Sequence, residues 1–162
     1  MKTIAMLIDG KSAAASGDAT FERRNPLDGS VATRAPAASP EDMVKAVEAA
    51  ARAFESWRDT GPSERRALLL KAAQALEAKG DAFAQAMAAE TGASAMWAGF
   101  NVHLAAGMLQ EAAALTTQIS GEVIPSDVPG SLAMAVRQGA GVVLGIAPWN
   151  APVILGVRAL AV

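Results

Sequence analysis

Cysteine is absent from the 162 residues. Without a thiol the segment can form no disulfide framework, no thiolate metal site and no thiol nucleophile of its own. Histidine is nearly absent as well. His103 is the single one, its default reading is a surface or half-buried side chain, and no metal site is expected. Also missing is an excess of one charge: 14 Lys plus Arg stand against 16 Asp plus Glu, for a net charge of −2. No block of like charges occurs, so a polyanion-binding surface is not expected and nucleic acid is set aside as a partner. With no disulfides to imply an oxidising compartment, cytoplasm is the expected location.

Both ends carry apolar runs that need a decision. At the start, Ile4 to Ile8 is broken by Asp9-Gly10, well short of the roughly 7–15 apolar residues of a secretory signal, so 1–8 reads as a strand and not a leader. At the other end the stretch 140–162 is apolar with one charge, Arg158, which raises the possibility of a membrane span. Pro148, Trp149, Asn150 and Pro152 lie in its middle, where they would interrupt the internal hydrogen bonding that lipid demands. No membrane association is expected.

Between the ends the pattern changes period. Residues up to about 35 read as short strands and turns in a small antiparallel unit: 4–8, then 20–24, then 31–34 after the turn Asn25-Pro26-Leu27-Asp28-Gly29. From Ser39 the period becomes helical. Ser39 is an N-cap, Pro40 suits the first helical position, and Val44, Val47, Ala51, Phe54 and Trp57 recur at three- and four-residue spacing. Gly61-Pro62 opens a second helix with Leu68, Leu69, Ala72 and Leu76 on its inner face and Gly80 as its stop. Asp81 is placed as the cap of a third, ending at Thr91-Gly92. Ser94 caps a fourth and longest helix, 94–119, whose stripe Trp97, Phe100, Leu104, Met108, Ala112, Leu115 and Ile119 predicts the core face. After Gly121, Pro125 and Pro129-Gly130 come an exposed strand over 131–138, a strand buried on both faces over 142–147, and a helix over 152–162. That last helix has no closing Gly, cap or polar turn. The chain is therefore expected to stop inside an element, and its lone buried strand to require neighbours.

The junction from that strand to that helix is where chemistry is expected. Ligands of open α/β folds bind beyond the carboxyl ends of strands, where a helix N-terminus presents free N–H groups. Asn150 stands at that point. Its amide offers two N–H donors that do not titrate, the property a developing oxyanion needs, although an Asn in this place also makes a good helix cap. Ala151, Ile154, Leu155 and Arg158 follow at one, four, five and eight positions and share a helix face with it. Ordinary core is the competing role for the apolar members, and a structural ion pair the competing role for Arg158.

Pro148-Trp149-Asn150, after a hydrophobic strand with Gly141, resembles the Pro-Trp-Asn signature of the aldehyde dehydrogenase superfamily. Asp9-Gly10, Asn25-Pro26 with Gly29, the Ser39-Pro40 helix start, Glu90-Thr91-Gly92 and Gly121-Glu122-Val123-Ile124-Pro125 follow the family's order. The run from Gly92 to Val102 is most similar to salicylaldehyde and related aromatic-aldehyde dehydrogenases. Gly139 departs from the family, which usually has Pro there, and this loosens the approach to the buried strand.

The resemblance implies an α/β fold: the N-terminal part of a Rossmann-like cofactor domain (1–120), a segment of the oligomerisation arm (121–141) and the start of the parallel-sheet core (142–162). It implies oxidation of an aldehyde, an aromatic one by the nearer likeness, to a carboxylic acid through a thiohemiacetal and a thioester, with hydride passing to NAD or NADP. It implies a homo-oligomer when the family's full length is present. The family's Cys nucleophile, Glu base, ribose-binding Lys and glycine-rich nucleotide segment would follow Val162, so the chain alone is expected to be inactive. Asn150 carries over as the oxyanion donor. Ile146, Ala147, Pro148 and Trp149 match the edge of the cofactor cleft, and Phe100, Leu104, Ala151, Ile154, Leu155 and Arg158 match the substrate tunnel. Two other readings stay open from the sequence: a non-catalytic helical interaction module and a tail-anchored membrane protein.

Overall fold

Asp9 and Gly10, both at positive φ (54° and 70°), turn the chain between β2 (Met6–Ile8) and β3 (Lys11–Ala13). A two-residue turn of this kind matches the twist of the strands it joins, and Ile8 pairs directly with Lys11. The structure is a computed structural model that describes residues 2–161. Met1, at the head of the first apolar run, and Val162, where the sequence predicts the end of the last helix, lie outside the described residues.

A second sheet holds β1 (Lys2–Thr3), β5 (Val31–Pro36) and β4 (Thr20–Arg24) in the order β1-β5-β4. β4 and β5 pair antiparallel as expected, but β1 joins β5 in parallel and β3 was not anticipated. The expected single antiparallel unit is thus two small sheets. The expected 4–8 strand divides because Ile4 donates its N–H to the Arg34 carbonyl (3.1 Å) at the end of the first sheet, while Met6 already pairs with Ala13 in the other.

Among the described residues five α-helices follow: α1 (Pro40–Trp57), α2 (Pro62–Glu77), α3 (Gly80–Thr91), α4 (Ala95–Leu115) and α5 (Pro152–Ala161). Ser39 caps α1 in a reciprocal box, its hydroxyl accepting from the Asp42 N–H and the Asp42 carboxylate accepting from the Ser39 N–H. Buried Asp42 also accepts from the Ser16 N–H (2.8 Å) and the Ser16 hydroxyl (2.7 Å), which pins the strand unit to α1. These bonds, the Ser16 N–H foremost, then Ser16 hydroxyl and Ser39 N–H, hold its carboxyl well below the usual carboxylate range; burial works against them and Lys45 with them. Glu90 makes a second tie, accepting from Arg23 and Thr33 at 2.6 Å each.

α4 is the hub, packing on α2, α3 and α5. Its buried face is not the expected stripe. Ala98, Asn101, Val102, Ala105, Ala106, Leu109 and Ala113 are buried, whereas Trp97, Phe100, Leu104, Leu115 and Ile119 are exposed. α4 is apolar on more than one side, and small residues let three helices approach it closely, so the alanine face takes the core and the large side chains are left outside. The same shift holds on α2, where Leu69, Ala73 and Leu76 turn inward and Leu68 and Ala72 do not. That helix ends at Glu77, before Gly80, and Asp81 lies within the first turn of α3 and not at its cap.

The exposed strand expected over 131–138 is shorter: β7 (Ala133–Ala135) pairs antiparallel with β6 (Glu122–Ile124) in an exposed hairpin. The buried strand expected over 142–147 is not formed. Val143, Leu144 and Ile146 are 70% exposed or more, because among the described residues no segment lies alongside to complete a ladder. The segment nevertheless runs back along α5. A Cβ on Gly145 would stand 2.7 Å from the Ala159 Cβ, so glycine is what permits this approach. At Gly139 the ring of Phe54 fills the space a Cβ would enter, at 3.0 Å, which gives the departure from proline a packing reason. Among the described residues no helix is long and apolar enough to cross a membrane; α5 has 10 residues.

Candidate functional site

Pro152 opens α5 and the Leu155 N–H donates to the Ala151 carbonyl at 3.0 Å, so Ala151, not Asn150, occupies the capping position. The Asn150 side chain makes no hydrogen bond to another described residue and is exposed. Of the two roles its position allows, the structure leaves the cap bond unmade and the amide free.

What fixes the Asn150 backbone comes from α4. The Ser94 hydroxyl accepts from the Trp97 N–H and starts the helix, and the Trp97 indole Nε1–H donates to the Asn150 carbonyl at 3.0 Å. Phe100 stacks on Trp97, ring centroids 5.5 Å apart and 20° from parallel. Asn101, fully buried, donates from Nδ2 to the Trp97 carbonyl at 3.1 Å, and its Oδ1 has no partner among the described residues. Sequence reasoning placed Trp97 in a core stripe and passed over Asn101. A polar residue in the middle of an apolar helix, one turn beyond a tryptophan, was the available signal.

The other expected residues divide into three groups. Ile146, Ala147, Pro148 and Trp149 form an exposed edge leading into Asn150. Phe100 and Leu104 lie on the exposed side of α4, Phe100 drawn to the Asn150 loop through Trp97. On α5, Val153, Val157 and Ala161 face the core, so Ala151, Ile154, Leu155 and Arg158 occupy a side roughly a third of a turn away. Within that side Ala151 and Ile154 are buried, Leu155 is half-buried, and Arg158 is exposed with no ion pair among the described residues. A cavity of about 490 Å³ lies elsewhere: Trp57, Leu69, Met108, Leu115, Ile119 and Leu160 line it at the far end of α4.

An exposed apolar edge leading to an Asn at a helix start on an α/β frame is where open α/β folds bind ligands. The chain belongs to the aldehyde dehydrogenase family, whose sequence model matches residues 13–162. Within it the similarity runs to enzymes of aromatic aldehydes. The chain is 64% identical over 158 residues to a vanillin dehydrogenase of Pseudomonas sp. (strain HR199 / DSM 7063), covering 98% of this chain and 33% of the relative. Its fold matches the crystal structure of a salicylaldehyde dehydrogenase from Pseudomonas putida G7 complexed with salicylaldehyde, with a TM-score of 0.94 and 47% identity over 99% of this chain and 33% of that one. It also matches an NAD-dependent benzaldehyde dehydrogenase from Corynebacterium glutamicum, with a TM-score of 0.90 and 32% identity over 96% of this chain and 34% of that one. The chain therefore spans about a third of the length of these relatives.

Proposed function

We propose that this segment supplies the oxyanion-binding amide and one wall each of the cofactor and substrate sites of an NAD(P)-dependent dehydrogenase that oxidises an aromatic aldehyde to its acid. The observation that carries the reading is the Asn150 amide, uncapped and free at the start of α5 with its own backbone anchored from α4. When a nucleophile adds to an aldehyde, negative charge gathers on the carbonyl oxygen. An amide N–H already in place stabilises that charge without having to reorganise, and because it does not titrate it serves over the whole neutral range.

Ile146 to Trp149 fit one side of a nicotinamide dinucleotide, NAD or NADP. Their apolar side chains are exposed, and their main-chain groups are not used in a sheet. The cofactor, when bound, accepts the hydride. Phe100 and Leu104 with the Ala151, Ile154, Leu155 and Arg158 side of α5 are assigned to the aldehyde's path, and an aromatic ring suits the stacked Trp97–Phe100 pair that borders it. The division 1–120, 121–141 and 142–162 is kept, with the β6–β7 hairpin as the arm through which a homo-oligomer forms. A helical interaction module leaves the free amide without a purpose, and the family match over residues 13–162 does not favour a tail anchor.

The test is a replacement. When residues 13–162 stand in for the matching third of the Pseudomonas putida salicylaldehyde dehydrogenase, the hybrid is expected to oxidise aromatic aldehydes with reduction of the nicotinamide cofactor. A hybrid that folds and binds cofactor yet oxidises none of them contradicts the proposal.

A further inference from the structure

We propose that Trp97 is a positioning residue that sets the Asn150 amide through the hydrogen bond from its indole to the Asn150 carbonyl. This rests on the oxyanion role assigned to Asn150 above. Three observations carry it. Residues 142–149 have no ladder to hold them and α5 begins only at Pro152, so residue 150 lies between two elements and is fixed by neither. Among the described residues, the bond from Trp97 Nε1 (3.0 Å) is the hydrogen bond that the Asn150 peptide group makes. Finally, Trp97 is itself constrained on three sides. The Ser94 hydroxyl accepts from its N–H, Asn101 Nδ2 donates to its carbonyl and Phe100 stacks on its ring.

Asn101 adds a pointed detail. It is 0% exposed and its Oδ1 is unpartnered among the described residues, a burial that packing alone disfavours and that an apolar residue of the same size would avoid. What the asparagine provides in this structure is its bond to Trp97. Trp97 is 41% exposed, so core burial alone does not explain why its main chain is held by Ser94 and Asn101 and its ring by Phe100. A misplaced amide loses oxyanion stabilisation in the transition state while leaving ground-state aldehyde binding intact, which separates kcat from KM.

The experiment uses the hybrid enzyme described above, or any intact enzyme carrying this segment. Trp97→Phe keeps the ring stack and removes the N–H. It is expected to lower kcat by about three- to tenfold, the range of one neutral hydrogen bond, with KM for the aldehyde little changed. In an Asn150→Ala background the same substitution is expected to have no further effect, because the group it positions is gone. An undiminished loss in that background, a loss confined to KM, or no loss in either background overturns the proposal. If Asn150→Ala alone leaves kcat unchanged, the oxyanion reading fails and this inference fails with it, and that single variant shows which of the two was wrong. Should Trp97→Phe not fold, hydrogen exchange at the Trp97 indole in the unsubstituted enzyme decides. Protection is expected, and exchange at the rate of a free indole overturns the proposal.

Discussion

At the scale of single residues, groups that act differ from groups that hold them. In the proposed reading Asn150 acts by an amide left free and Trp97 holds it. Arg158 is proposed to belong with the first kind. It stands two turns from Asn150, about 12 Å along the axis at 1.5 Å per residue, is exposed at the end of the side of α5 that carries Ile154 and Leu155, and has no ion pair among the described residues. A guanidinium placed on an otherwise apolar path is costly unless something polar meets it, and a ring hydroxyl on the aldehyde would do so. Arg158→Leu is therefore expected to lower kcat/KM for a 2-hydroxy aromatic aldehyde more than for benzaldehyde. Equal losses on the two substrates would make Arg158 structural. The place of Asn150, after an apolar run and before Pro152, can be singled out in the sequence, but by itself it favours a helix cap. The oxyanion role comes from the Pro148-Trp149-Asn150 resemblance and stays a proposal. Trp97 cannot be singled out, because its bond joins residues 53 apart and no local pattern marks a contact of that span.

Among elements, α1 shows how far local chemistry reaches. Ser39, Pro40 and the 3.6-residue spacing predicted both its ends, and the structure adds the reciprocal cap and the tie to Ser16. That tie is sensitive to acid. Because the folded Asp42 carboxyl titrates below its unfolded value, its contribution is complete above the ordinary value of about 3.9 and fades as pH falls below it. Asp42→Asn is expected to lower the melting temperature most at neutral pH, with the gap to the parent shrinking below about pH 4. A gap that does not change with pH would contradict this. α4 shows where local chemistry stops. Its large side chains predicted a core face, yet the choice between two apolar sides depends on which neighbours come close, and the alanines allow the closer approach. The segment 142–147 has the composition of a buried strand, but a strand exists only with a partner, and composition cannot supply one. Its contact with α5 is testable directly. Gly145→Ala drives a Cβ to 2.7 Å from Ala159, an overpacking expected to destabilise by about 1–3 kcal/mol. Adding Ala159→Gly should recover part of the lost melting temperature. No loss from Gly145→Ala would show that the two are not in contact.

At the scale of the whole molecule, the chain exposes 11262 Å², whereas a compact monomer of 16.5 kDa exposes roughly 7,600 Å². Much of the excess is apolar: the outer side of α4, the 142–149 edge and the β6–β7 hairpin. Such a surface favours association. The purified 162-residue chain is expected to self-associate in sedimentation analysis, and a monodisperse monomer with one sharp melting transition would count against that expectation. It has no Cys and is expected to form no NAD(P)H from aromatic aldehydes. The same surface leaves the site open, with Asn150 presented at its edge. The most direct test of the account is the rate of acid formation by an intact enzyme carrying this segment, with Asn150 and with Asn150→Ala. The substitution is expected to lower kcat by about 10²–10³-fold, as the loss of one oxyanion donor does, while the dissociation constant of the cofactor stays unchanged. A kcat held within a few-fold, accompanied by a stability loss of about 1 kcal/mol, would contradict the account and make Asn150 a structural residue of the turn before α5.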